Sequence, residues 1–172
     1  PVVLLFTCDE EIGHGVDHLQ LDALAAVACY TLDGGGSDTI DVETFSADLA
    51  TVIVRGVNIH PSIGKGRMVN ALRAAGELIA RLPRTCLSPE TTDERQGFLH
   101  PYHLTGSVAE TTLQLILRDF DTSRLAEQAE LLRCVARTVE ADFPGLSIEV
   151  QITPQYRNMA EGLAREPRAV AF

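Results

Sequence analysis

From Phe45 onward, apolar residues recur along the chain with two alternating periods. Phe45–Gly56 alternates every second residue, with Ala47, Leu49, Thr51, Ile53 and Arg55 on one side, and predicts a strand. Met68, Ala71, Leu72, Ala75, Leu78, Ile79 and Leu82 recur at three- and four-residue spacing, predicting a helix that Pro83 ends. The polar stretch Thr85–Gln96, with Pro89 and an acidic cluster, reads as an exposed loop. Tyr102–Ala109 and Thr111–Asp119 then read as two strands with room only for a tight hairpin between them. A second helix runs from an Asp121 N-cap through Leu125, Ala129, Leu132, Ala136 and Val139 to Pro144-Gly145, and Leu146–Ile152 is the last strand. The order β-α-β-β-α-β is the ferredoxin-like split unit.

The first 43 residues follow another pattern. Val2–Phe6 is a continuous apolar run with the look of a fully buried strand, Leu19–Val27 a helical crossover, and Ala28–Leu32 a second strand. The chain thus reads as α/β (α+β): 1–43 as part of one α/β domain, 44–156 as an inserted domain, and 157–172 as a segment returning to the first. Pro1 opens almost directly into a core strand and Ala169–Phe172 is an apolar run with no closing element, so both ends read as cuts in a longer protein.

The net charge of −10 argues against a nucleic acid or an anionic membrane as partner, since phosphate affinity needs clustered Lys and Arg. No apolar run approaches the length of a bilayer span, and no signal peptide is visible. Cys8, Cys29, Cys86 and Cys134 are far apart, which suggests reduced thiols in a cytoplasmic protein rather than a disulfide framework or thiolate zinc site.

Candidate chemistry begins where the first predicted strand ends. Asp9, Glu10 and Glu11 arrive together there, and ligands of α/β sheets sit at strand carboxyl ends. Three consecutive carboxylates repel one another unless a cation or proton compensates them, so this is a metal site or a solvated acidic turn. Asp33, before Gly34-Gly35-Gly36, is a second strand-end carboxylate, one helical crossover after Glu11, and the two could emerge at the same sheet edge. His14 and His18 read as surface residues because Gly13 and Gly15 disfavour a helix that would pair them. His60 lies in Asn58-Ile59-His60-Pro61, where Pro61 stiffens the turn. Arg118 sits in an otherwise apolar strand and needs an anionic partner, for which Asp119 and Asp121 are candidates within the chain. His100 and His103 have no comparable context and read as structural or exposed.

Five segments together carry a specific resemblance: Phe6–Gly13, Tyr30–Gly36, Asn58–Pro61, Lys65–Ala71 and Leu117–Asp121. In this order and spacing the chain resembles the peptidase T family of tripeptide aminopeptidases, within the co-catalytic zinc exopeptidases that include carboxypeptidase G and succinyl-diaminopimelate desuccinylase. The resemblance implies a zinc-exopeptidase catalytic domain, partly present here, interrupted by a ferredoxin-like lid that also dimerises. It implies two zinc ions per complete subunit, with Glu10 as general base, Glu11 ligating one zinc and Asp33 the other. His60 would reach the partner subunit's active site and donate to the oxyanion. Arg118 would bind the terminal carboxylate of a short peptide, with Asn70 as a further substrate contact and Asn158 a weaker one.

Departures from the family pattern are Cys8 in place of Pro, Ser62 in place of the Gly after His-Pro, and Asp93-Glu94-Arg95 in place of a Gly-containing stretch. None falls on an implied ligand. The remaining ligands, a His-x-Asp, a bridging Asp and a final His, are not in these residues, so the chain is expected to be inactive alone and its complete protein an aminopeptidase releasing the first residue of tripeptides. A related zinc carboxypeptidase or deacylase, and for the chain itself a non-catalytic dimerisation module, are the alternative readings.

Overall fold

The structure, a computed structural model, describes residues 2–8, 14–33, 35–36 and 38–171. Its contacts divide into two compact units, Val42–Gly162 and the pair of segments Pro1–Asp41 and Leu163–Phe172.

The larger unit is built on four strands, β1 (Ser46–Arg55), β2 (Phe98–Gly106), β3 (Glu110–Asp119) and β4 (Ser147–Tyr156), and two helices, α2 (Ala71–Arg81) and α3 (Thr122–Asp142). All pairings are antiparallel and the strand order is β2-β3-β1-β4, the ferredoxin-like arrangement expected from the order of elements. Alternation sorts each central strand by face. Ala50, Val52 and Val54 of β1 and Leu113, Leu115 and Leu117 of β3 are buried against the helices, which contribute Ala74, Ala75, Leu78, Leu125, Leu132 and Val139 at helical spacing. Small alanines on α2 let that helix lie close to the sheet.

The helix starts are fixed locally. The Asp121 carboxylate accepts from the backbone N–H (2.9 Å) and hydroxyl (2.7 Å) of Ser123, capping α3 as the sequence suggests. Gly145, at φ +91°, turns the chain after α3 into β4. Two boundaries run further than the periodicity predicts: β2 begins at Phe98, and β4 continues to Tyr156. Each contains a proline, Pro101 and Pro154, and each is an edge strand, where a missing N–H on the outer side costs no ladder bond.

The smaller unit is less regular. It holds α1 (Leu21–Leu24), α5 (Arg168–Ala171) and a hydrogen bond from the Tyr30 hydroxyl to the Ala169 carbonyl (2.6 Å), while α4 (Ala160–Arg165) spans the boundary between the units. Among the described residues neither Val2–Phe6 nor Ala28–Leu32 forms a strand, and Val2, Leu4 and Phe6 are exposed. A fully buried strand gets its ladder bonds and both covers from neighbouring elements, and none pairs with these segments here.

Candidate functional site

Arg118 lies on the face of the sheet opposite α2 and α3. One row of residues crosses all four strands on that face: Phe98 of β2 pairs with Arg118 of β3, Arg118 with Ala47 of β1, and Ala47 with Tyr156 of β4. Ala47 is fully buried, and the Arg118 guanidinium lies toward the Tyr156 ring, 6.0 Å from its centroid. The small side chain at 47 leaves the space across which Arg118 reaches. Phe98 continues into an aromatic cluster with Phe45 (5.6 Å) and, through Phe45, Phe120 (4.2 Å), and it lines a shallow depression of about 170 Å³ with Phe45, Thr92 and Gln96.

Arg118 has no ion-pair partner among the described residues, and its Nε is buried without a hydrogen bond. Both carboxylates that could have neutralised it are engaged elsewhere. Asp119 is buried on the helix side, accepting from the Asp121 backbone N–H (2.9 Å), and Asp121 caps α3. The buried Gln128 amide donates to the Arg118 carbonyl (3.0 Å), holding this part of β3 against α3.

His60 and Asn70 belong to the opposite end of the sheet. β1 ends at Arg55, the Val57–Val69 bridge closes the loop that follows, and His60 opens a single 3-10 turn, Pro61–Ile63. From Ala47 to Arg55 the strand covers about 27 Å at the usual rise per residue. The exposed His60 ring is held by Ser62: Nδ1 accepts from the Ser62 backbone N–H (3.3 Å) and lies 2.7 Å from its Oγ. Asn70 caps α2, its Oδ1 accepting from the N–H groups of Leu72 (3.0 Å) and Arg73 (3.3 Å). It also borders a depression of about 320 Å³ with Met68, Arg73 and Phe143.

At the Arg55 end the open face carries an ion-pair cluster in which Arg55 bridges Glu110 (3.1 Å) and Glu149 (3.0 Å). The Glu149 bond holds the Arg55 pKa above its ordinary value, and bonds from Gln151 and then Arg55 hold Glu149 below the usual carboxylate range. All three partners are satisfied, so this cluster ties β1, β3 and β4 together.

Glu10 and Glu11 lie outside the described residues. Asp33 is described and exposed. Among the described residues no group of three or more His, Cys, Asp or Glu side chains could hold a metal ion. His14 is exposed and pairs with Asp17 (2.7 Å), and His18 is exposed. Asn158 is taken up in backbone contacts: its Oδ1 accepts from Thr44 (3.1 Å) and Ala160 (2.9 Å), and its Nδ2 donates to the Phe120 carbonyl (3.0 Å). Sequence reasoning passed over Tyr156 and Ser62 as neighbours of Arg118 and His60. Only strand register reveals the first, whereas the second was in view as a departure from the family pattern at a position two residues from His60.

The family profile described as "Peptidase dimerisation domain" matches residues 42–144. Peptidase T of Bacillus licheniformis is 38% identical over 156 residues, covering 91% of this chain and 38% of that protein. Peptidase T of Aeromonas hydrophila is 41% identical over 154 residues, covering 90% of this chain and 38% of that protein. The crystal structure of a tripeptidase from Staphylococcus aureus superimposes with a TM-score of 0.71 at 23% identity, over 94% of this chain and 46% of that one, and at this identity the likeness is one of fold. The chain therefore spans less than half the length of the relatives it matches, and over that length it has the resemblance to peptidase T and the lid-like fold that its motifs imply. With the family profile covering most of the four-stranded unit, the chain belongs to the peptidase dimerisation domain family.

Proposed function

We propose that the complete protein is a cytoplasmic, homodimeric zinc aminopeptidase that releases the N-terminal residue of tripeptides, and that this chain supplies its lid and dimerisation domain together with part of the catalytic domain. Similarity to peptidase T along nine-tenths of the chain supports the activity, and the four exposed, unbridged cysteines support a reducing compartment. No helix among the described residues is long and apolar enough to cross a membrane.

The observation that carries the reading is the separation of Arg118 from His60. Arg118 of β3 pairs with Ala47 at one end of β1 and His60 follows the other end, about 27 Å of strand away, whereas an extended tripeptide spans only about 10 Å. A histidine donated from the partner protomer and an arginine acting within its own resolve this distance. Arg118, with an unsatisfied donor and no ion-pair partner among the described residues, binds the substrate's terminal carboxylate, and the fixed fork of its guanidinium suits that group. His60 donates to the oxyanion as negative charge develops on the scissile carbonyl. Asn70 keeps Nδ2 as the part of its amide that can meet a substrate, since Oδ1 is committed to the cap.

The donor set fits zinc in kind but is incomplete. Carboxylates of Glu11 and Asp33 would each hold one ion, and the bound metal would supply carbonyl polarisation and a more acidic water. Glu10 is the carboxylate that would accept a proton from the attacking water and return it to the leaving amine. Further ligands must come from beyond these residues, so the chain by itself is a non-catalytic module.

Complementation tests the reading. Glu10→Gln and His60→Gln homodimers of the full-length enzyme are each expected to lose nearly all tripeptidase activity while keeping bound metal. Mixed and reassociated, they regain it, because a hybrid dimer contains one site with an intact Glu10 and an intact partner histidine. Hybrids as inactive as their parents would overturn the donated histidine. Equal turnover of tripeptides by an Arg118→Met enzyme would overturn the carboxylate site.

A further inference from the structure

We infer that Ser62 is a positioning residue for His60, holding its imidazole as the tautomer protonated at Nε2 so that this N–H points outward as a donor. The inference rests on the proposed oxyanion role of His60 for its function but not for its geometry.

Both hydrogen-bond donors of Ser62 converge on one ring nitrogen. The Oγ lies 2.7 Å from Nδ1 and the backbone N–H donates to the same atom at 3.3 Å. The backbone group can only donate, so Nδ1 is an acceptor, and the hydroxyl rotates to donate to it as well. A neutral imidazole with Nδ1 as acceptor carries its proton on Nε2. Pro61 stiffens the link between the two residues, and the 3-10 turn closes through Ile63 N–H to the His60 carbonyl (3.0 Å). No carboxylate is paired with His60 among the described residues, so the serine is the group that sets its tautomer.

The consequence is specific to position 62. A glycine there keeps the backbone donor but loses the hydroxyl, leaving the ring with one long contact and freedom to turn about its side-chain torsions. With serine the ring is preoriented, so less ordering is left for the moment when charge develops on the substrate carbonyl.

The test uses the full-length enzyme, isotope-labelled at its histidine nitrogens, with the His60 signals assigned by their loss in His60→Gln. In the parent, Nδ1 is expected to resonate as an acceptor nitrogen and Nε2 as a protonated one. Ser62→Ala shifts both toward averaged values and lowers kcat roughly fivefold, the worth of one ordinary hydrogen bond, with KM little changed. Ser62→Thr, which keeps the hydroxyl, restores the parent spectrum and kcat. An unchanged His60 spectrum in Ser62→Ala overturns the inference. So does a changed spectrum with unchanged kcat in an enzyme that His60→Gln does slow. If His60→Gln leaves kcat unaffected, it is the oxyanion reading that fails, and the spectrum alone then decides whether serine sets the tautomer.

Discussion

The Asn158 side-chain oxygen accepts the backbone N–H of Thr44 at 3.1 Å, joining residues 114 positions apart in sequence. Thr44 leads into β1 and Asn158 follows β4, so this one amide ties the chain entering the four-stranded unit to the chain leaving it. Its Nδ2 reaches the Phe120 carbonyl, its backbone N–H donates to Ser46 Oγ (2.9 Å), and the Met159 N–H donates to Thr44 Oγ1 (3.2 Å). Arg157 adds contacts from Nη1 to the Ala47 carbonyl (2.9 Å) and the largely buried Asp48 carboxylate (2.8 Å).

Asn158→Ala is therefore expected to cost about 2–3 kcal/mol, since three side-chain hydrogen bonds, two of them part-buried, are lost at about 1 kcal/mol each. Asn158→Asp is expected to be no better, because it sets a carboxylate oxygen against the Phe120 carbonyl where an N–H stood. Urea unfolding of the two variants checks this, and an Asp variant as stable as the parent would show that the Phe120 bond contributes nothing.

Gly56, just beyond β1, has backbone on three sides. An added Cβ would stand 2.2 Å from the Val69 carbonyl oxygen, 2.8 Å from that of Val108 and 3.0 Å from the Ala71 nitrogen. None of these is a flexible side-chain end. Gly56→Ala is expected to destabilise by about 3 kcal/mol, the upper part of the overpacking range, and to displace the loop carrying His60. A thermal midpoint matching the parent's would refute it.

At the start of α3, bonds from the Ser123 hydroxyl and then its backbone N–H lower the Asp121 pKa below the ordinary carboxyl value. A carboxyl whose pKa is lower folded than unfolded contributes stability that is complete above the unfolded value and lost as pH falls through the folded one. Asp121→Asn keeps a capping oxygen but cannot titrate. Its stability is expected to vary less with pH than the parent's from the ordinary carboxyl range downward, measured by denaturant titration at a series of acidic pH values. Parallel curves for the two proteins would count against the cap's charge.

Asn70 separates stability from substrate contact. Asn70→Ala should cost about 1 kcal/mol through loss of the α2 cap, and Asn70→Asp, an equally good capping residue, almost nothing. If Nδ2 also meets substrate, Asn70→Asp in the full-length enzyme raises KM despite its normal stability. Normal KM together with normal stability assigns the residue to the cap alone.

Much of the four-stranded unit can be read from period alone. Alternation in 45–56 and 111–119, helical spacing in 68–82 and 121–139, and the Asp121 cap all lie within single elements, where local sterics and one-sided burial decide the outcome. The prolines at 101 and 154 obscured the extents of β2 and β4, because whether proline is tolerated depends on a strand lying at an edge, and edges exist only once strands have paired. Val2–Phe6 shows the converse: an apolar run reads as a strand, yet a strand exists only where partners complete its hydrogen bonds.

For the candidate site the division is similar. Sequence by itself determined which side chains have chemistry to offer, since carboxylates 10, 11 and 33, His60 beside Pro61, and an arginine among leucines are visible as residue types in order. It also showed Ser62 as a departure from the family pattern two residues after His60, but not that the two side chains meet. Only the tertiary structure decided that Arg118 lies between Phe98 and Tyr156 over a buried alanine, that neither neighbouring aspartate neutralises it, and that His60 leaves from the far end of the same sheet. Those relations follow from register between strands distant in sequence. A slip of one residue would turn Arg118 into the core and Leu117 to the open face, and no local pattern specifies that pairing until the helices bury one face of the sheet.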